Sequence, residues 1–140
     1  MDNILSNFAL TIMELGHAFK RFSNDFSLKI SPEAMKILLS VNYRPDIIQQ
    51  EIAETLKKDK SAVLRLIDNL EKQGLVRRVV SANDRRRNII NITENGKKLV
   101  TEIDHKLQKL SALFFNDLDS ADIEIFNRIL NHLQNKAKTI

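Results

Sequence analysis

The stretch VRRVVSANDRRRNIINIT, residues 76–93, decides how the rest of the chain is read. Two β-branched runs, Val76–Ser81 and Asn88–Thr93, flank a polar segment from Ala82 to Arg87, which is the pattern of a β-hairpin. Its tip carries Asp84 followed by Arg85, Arg86 and Arg87. A solvated turn with a capping aspartate accommodates one arginine easily. Three in succession concentrate positive charge at the end of a projecting loop. An acid beside them can fix one guanidinium in place, so that less side-chain entropy is lost on binding.

The segment before the hairpin, IIQQEIAETLKKDKSAVLRLIDNLEKQGLVRR (residues 47–78), reads as two helices. A short one runs from about Ile48 to Lys57. After a turn at Lys58 and Asp59, a longer one runs from Lys60 to Gln73. Asp59 is placed to accept from the first amides of the second helix, and Gly74 stops it in a left-handed conformation. Val63, Leu66, Ile67 and Leu70 recur at i, i+3, i+4 and i+7, so that side is core. The opposite side holds Lys60, Ser61, Leu64, Arg65, Asp68 and Lys72. On this segment alone, a generic helical hairpin and a helix-turn-helix both fit.

The hairpin that follows favours the helix-turn-helix, because a hairpin in that position is a wing. A recognition helix enters the major groove with its N-terminal residues toward the bases, here Lys60, Ser61 and Arg65. A wing tip lies over the adjacent minor groove, which is narrow and electronegative and suits an inserted guanidinium. Such an arginine adds affinity and shape readout more than base identity.

Helical periodicity continues on both sides. Leu5, Phe8, Ile12, Leu15, Phe19, Phe22 and Phe26 are spaced 3, 4, 3, 4, 3, 4, a heptad stripe on an N-terminal helix. Such a stripe fits an ordinary core helix, but so much aromatic surface with so little chain nearby to cover it favours a subunit interface. Ser31 and Pro32 then open a helix with Met35, Leu38 and Leu39 on its apolar face, ending near Asn42 before a loop from Tyr43 to Asp46. Thr93 and Glu94 start a long helix bearing Leu99, Ile103, Leu107, Leu110 and Phe114. A last helix, led by Ser120, carries Ile123, Phe126, Ile129, Leu130 and Leu133.

Composition narrows the function class. With 140 residues, 43% hydrophobic and 29% charged, the chain fits one folded domain. The net charge is only +4, yet between Lys57 and Lys98 there are 12 Lys/Arg against 5 Asp/Glu. A basic middle on a mildly acidic scaffold suits a polyanion. The absence of cysteine excludes disulfides, thiolate metal ligands and thiol-based redox sensing. His17, His105 and His132 are single residues on three different helices, so no metal site or other cofactor is expected. No phosphate loop or nucleophile elbow is present, so the chain is not expected to be an enzyme. With no signal-like leader and no apolar run near the ~20 residues that cross a bilayer, a cytoplasmic location without membrane attachment is expected.

EIAETLKKDKSAVLRLIDNLEKQGLVRR and DRRRNIINITENGKKL together resemble the MarR family of winged-helix transcriptional regulators, and the likeness extends over essentially the whole chain. Asp84, Arg86, Ile90, Ile92, Thr93 and Gly96 fall on the family's wing signature. The resemblance implies a mainly α (α+β) fold. A winged helix-turn-helix lobe over residues 31–97, with a two-stranded wing, is flanked by N- and C-terminal dimerisation helices over 1–30 and 98–140. It implies a homodimer sealed by residues such as Leu5, Phe8, Ile12, Leu15, Phe19, Phe126, Leu130 and Leu133. The partner would be double-stranded DNA carrying a palindromic operator. Lys60, Ser61, Leu64, Arg65, Asp84, Arg85, Arg86 and Arg87 would form the DNA-binding set, with Arg86 in the minor groove and Asp84 supporting it. A repressor relieved by a small-molecule effector is the implied function, although no residue set points to a particular effector. One departure matters: Leu64 stands where the family often has a small polar residue. Either it meets a thymine methyl, or the base contacts differ there. A winged helix serving protein contacts without specific DNA binding is the competing reading, and clustered like charge on the wing argues against it.

Overall fold

The computed structural model describes residues 2–24 and 30–140. Its elements in chain order are α1 (Asp2–Asn24), α2 (Pro32–Tyr43), α3 (Gln49–Leu56), α4 (Lys60–Lys72), β1 (Val76–Val80), β2 (Asn88–Ile92), α5 (Glu94–Phe115) and α6 (Ser120–Ala137). This is a mainly α fold with a two-stranded antiparallel wing, as expected. The chain groups into two compact units, Met1–Lys97 and Lys98–Ile140.

The helix boundaries follow local chemistry. The Ser31 hydroxyl accepts the Ala34 N–H at 3.1 Å, and Pro32 occupies the first helical position of α2, where its missing N–H costs nothing. Asp59 caps α4 in the same way, accepting the Ala62 N–H at 2.7 Å. At the other end Gly74 turns left-handed (φ 71°), and the Leu75 N–H closes back onto the Leu70 carbonyl at 3.0 Å. The tight turn between α3 and α4 places Lys57, which is not a glycine, at φ 51°. Lys58 in that turn reaches α2 through an ion pair with Glu33 at 2.6 Å.

The lobe core is built from Ile37, Leu38 and Val41 of α2, Ile52 of α3, and Val63, Ile67 and Leu70 of α4. Ile47, Leu75, Val76 and Ile90 close it. α2 buries a broader face than Met35, Leu38 and Leu39 alone: Ala34, Ile37 and Val41 are buried and Leu39 only half-buried. α2 packs against both α4 and β2, so a single stripe underestimates its buried face.

The wing strands pair Val76 with Ile92 and Val80 with Asn88, each strand one residue shorter at its C-terminal end than the sequence reading. A third piece of extended chain joins them. Ile48 forms an isolated bridge with Ile89, and the Ile90 N–H donates to the Ile47 carbonyl at 2.9 Å. Ile48 therefore belongs to the sheet, and α3 begins at Gln49. Asp46, left-handed at φ 66°, turns the chain into this position.

The base of the wing is tied to the end of α4 and the start of α5. The Thr93 hydroxyl donates to the Gly74 carbonyl at 2.6 Å and accepts the Gly96 N–H at 3.0 Å. The Thr93 N–H donates to the Leu75 carbonyl at 3.0 Å. Gly96 lies against that same carbonyl: a Cβ added there would overlap the Leu75 oxygen and come within 2.6 Å of Ile92 Cγ1.

The N- and C-terminal helices differ from the lobe. On α1 every described side chain is exposed except the half-buried Ala18 and Phe22. Leu5, Phe8, Ile12, Leu15 and Phe19 are all among the exposed large apolar residues, with Ile4, Leu10 and Met13 beside them. Phe26, the last member of the heptad stripe, lies outside the described residues. On α6 no side chain is buried: Ile125, Phe126 and Ile129 are exposed, and Leu130 and Leu133 are half-buried. The cap of α6 is Asp119, which accepts the Asp122 N–H at 2.9 Å, with Ser120 as the first helical residue.

Gly96→Ala sets two effects against each other. Alanine favours a helix over glycine by roughly 0.5–1 kcal/mol, whereas forcing atoms into an occupied site costs typically 1–3 kcal/mol. Because the obstacle is backbone, we expect net destabilisation of about 1–2 kcal/mol by chemical denaturation, and a stabilised variant would contradict this packing.

Candidate nucleic-acid interface

The exposed side of α4 presents Lys60, Ser61, Leu64 and Arg65 together in its first two turns. These four come to one face because α4 turns its Val63, Ile67 and Leu70 side fully inward. Arg65 leans back along the helix, its Nε donating to the Ser61 carbonyl at 3.4 Å. Leu64, 42% exposed, projects between these polar neighbours.

The wing loop is internally braced. The Ser81 N–H donates to the Arg87 carbonyl and the Arg87 N–H to the Asp84 carbonyl, both at 3.0 Å. One Asp84 carboxylate oxygen accepts the Arg86 backbone N–H at 2.9 Å, which is an Asx turn. The other is 3.4 Å from Arg87 Nε. The expected support of Arg86 by Asp84 is thus through the backbone, and the guanidinium that Asp84 engages is that of Arg87. The side chains of Arg85, Arg86 and Arg87 are all exposed.

Wing and recognition helix meet at a cleft of about 210 Å³ lined by Ile48, Gln49, Gln50, Lys60, Arg86, Arg87 and Asn88. Three cations from two elements thus border one hollow, whose third wall is the first turn of α3. Glu51 secures that wall: its carboxylate accepts the Ile48 N–H at 3.0 Å and pairs with Arg44 at 3.2 Å. The Ile48 N–H holds the Glu51 carboxyl below the usual carboxylate range. The charges of Arg44 and Arg87 add to this against an opposing desolvation.

A second brace escaped the sequence reading. Asp68, assigned there to the open side of α4, is paired with Arg78 of β1 at 2.6 Å, and Arg78 also pairs with Glu71. The Arg78 side chain is only 21% exposed. Strand parity could have flagged it. Arg78 is two residues after the buried Val76 and opposite the buried Ile90, so an inward-facing charge there needs partners. Gln49 and Gln50 were also missed, because only the fold brings them beside the arginines, and Asn88, next to Arg87 in the chain, was read only as the first residue of a strand. Among the described residues no cluster of three metal-ligating side chains occurs, and no helix is long and apolar enough to cross a membrane.

A three-helix lobe with a capped recognition helix, followed by a two-stranded hairpin braced to it, defines a winged helix-turn-helix protein. A family model described as the MarR family matches residues 30–87. The fold likeness runs well beyond that segment. The transcriptional regulator SlyA is 26% identical, with a TM-score of 0.78 over 93% of both chains. MepR of S. aureus, solved as a DNA complex, is 22% identical, with a TM-score of 0.77 over 92% of this chain and 97% of its own. PcaV from Streptomyces coelicolor, a transcriptional regulator solved with its natural ligand, is 18% identical, with a TM-score of 0.73 over 91% of each chain. Residues 30–87 thus carry the sequence pattern of the MarR family, and the chain shares the fold of these regulators over most of its length.

Removing Arg78 would leave Asp68 and Glu71 as two acids on the helix that carries Lys60 and Arg65. Arg78→Gln is expected to cost about 1–2 kcal/mol of stability, the low end for a pair whose acids are partly solvated. Asp68→Asn with Glu71→Gln in the same chain should recover part of it. Denaturation midpoints of Arg78→Gln, of Asp68→Asn/Glu71→Gln and of the triple variant check this, and additive losses would contradict the bridge.

Proposed function

We propose that this protein is a DNA-binding transcriptional regulator, acting as a homodimer on an inverted-repeat operator and released by a small-molecule effector. The observation that carries the proposal is the cleft where Lys60 of the recognition helix faces Arg86 and Arg87 of the wing. A duplex presents phosphates at the border between a major groove and the next minor groove, which is where a winged helix would set this hollow. Lys60, Ser61 and Arg65 would then address the major groove. Arg86 would enter the minor groove, while Arg85 and Arg87 would hold phosphates, Arg87 leaving Asp84 to do so.

The homodimer reading rests on the apolar faces of α1 and α6, whose Leu5, Phe8, Ile12, Leu15, Phe19 and Phe126 are exposed in the single chain. Leu130 and Leu133 continue the α6 face. Exposed apolar surface of this kind on a helix marks an interaction site, which a two-fold partner would cover. Two lobes related by that axis would read half-sites roughly 10 bp apart. The likeness to PcaV, solved with its ligand, supports an effector-responsive regulator, and repression by occluding a promoter is the simplest mode for such a dimer. We place its action in the cytoplasm.

Selection of bound sequences from random duplex tests the function directly: an inverted repeat should be enriched, and no enrichment of any sequence would overturn the proposal. Within that assay Arg86→Ala should weaken binding to every duplex, most where the flanks are A·T-rich, since narrow minor grooves hold guanidinium best. Equal losses on A·T-rich and G·C-rich flanks would remove Arg86 from the minor groove.

Phe8→Glu or Leu15→Glu places a charge in the proposed seam and should give monomer or insoluble protein. Sedimentation showing a folded wild-type monomer at micromolar concentration would contradict the dimer.

A further inference from the structure

Leu64 is the exposed large hydrophobic residue of α4; among the described residues, the other large apolar side chains of that helix are buried or half-buried. Its position is not explained by the core. Val63, Ile67 and Leu70 on the inner side are fully buried, whereas Leu64 is 42% exposed between Lys60 and Arg65. Nor does a helix need leucine there, since a polar residue of similar propensity would keep the face uniformly hydrophilic. We infer that Leu64 determines operator specificity by covering the 5-methyl group of a pyrimidine in the major groove. This deepens the DNA-binding reading above and rests on it.

The chemistry narrows the contact. The major-groove edges of the bases carry hydrogen-bond donors and acceptors, and the 5-methyl of thymine is the apolar group among them. A leucine facing base edges gains nothing from N7, O6 or N4 and leaves whichever it covers without a partner, which costs free energy. It therefore favours a 5-methylpyrimidine and disfavours the polar edges at one position of each half-site. Leu64 is one turn in from the N-terminus of α4, with Lys60 one turn before it on the same side. That is the depth at which recognition helices reach base edges while their first residues meet the backbone. Arg65, held back toward the Ser61 carbonyl, is one residue along and addresses a neighbouring base pair.

Burying one methyl group of the base against leucine corresponds to a factor of about four in affinity. The test uses the full-length protein and the operator enriched from random duplex. Thymines are replaced one at a time by deoxyuridine, which removes the methyl group and nothing else. Wild-type protein should lose about fourfold at one position of each half-site and little elsewhere. Leu64→Ala, an exposed change to a better helix former, should fold normally and bind with no preference between thymine and deoxyuridine at that position. Arg65→Ala should bind more weakly but keep the preference.

A 5-methylcytosine·guanine pair at the same position separates the methyl group from the rest of thymine. If it binds better than cytosine·guanine by a similar factor, the methyl group alone is read; if it gains nothing, the contact is to thymine as a whole. Wild-type indifference to deoxyuridine at every position, or the same methyl preference in Leu64→Ala, would overturn the inference while leaving the enriched operator, and so the DNA-binding function, intact. Failure to enrich any sequence would instead defeat the function itself.

Discussion

The carbonyl of Leu75 is the point on which the winged-helix lobe depends. It is the first residue after the glycine that ends the recognition helix, and its oxygen receives the Thr93 N–H from the far end of the wing. The same oxygen is covered by Gly96, at the start of α5, at a separation no side chain would permit. The Thr93 hydroxyl adds a third tie, bonding to the Gly74 carbonyl on one side and the Gly96 N–H on the other. Four chain segments are thereby fixed within a few ångströms. Wing and recognition helix cannot be displaced independently, because both leave from this knot. Arg78 repeats the constraint further out, tying the first wing strand to the middle of α4.

Charge in the lobe follows a division of labour. Glu33, Glu51, Asp68, Glu71 and Asp84 each hold a cation that positions a backbone segment, and Asp59 holds a helix terminus. Lys60, Arg65, Arg85 and Arg86 are left pointing outward from the recognition helix and wing. Part of the basic character of the middle third is therefore presented by the recognition helix and wing, although the overall net charge is only +4. Exposed pairs of this kind contribute little stability individually. Their effect is to keep acids away from the face that a polyanion would approach.

What the sequence revealed and what it concealed divides by distance along the chain. Ser31, Asp59 and Thr93 as helix caps, and Gly74 as a stop, were legible because each acts on amides within a few residues. The hairpin was legible for the same reason: its strands are joined by a short turn. The extended pair Ile47–Ile48 was not, since its partners Ile89 and Ile90 are some forty residues away and two isoleucines before a helix look like the helix itself. Arg78 was concealed because the second of two adjacent arginines resembles more positive surface, whereas its strand position turns it inward. Asp84 was read as an arginine's partner correctly, but the loop's own hydrogen bonds direct it to Arg87 rather than Arg86.

The acid in the wing also bears on how quickly such a protein finds its target. A loop with three arginines and no acid would grip any duplex through counterion release, and long residence on random DNA slows a search by sliding and hopping. On the proposed DNA-binding reading, Asp84 would hold Arg87 while the protein is between sites. Each phosphate recruiting Arg87 would first have to displace that carboxylate, so the grip on arbitrary sequence would be moderated and would tighten where the recognition helix also finds its bases. A single aspartate would then trade static affinity for mobility along the genome.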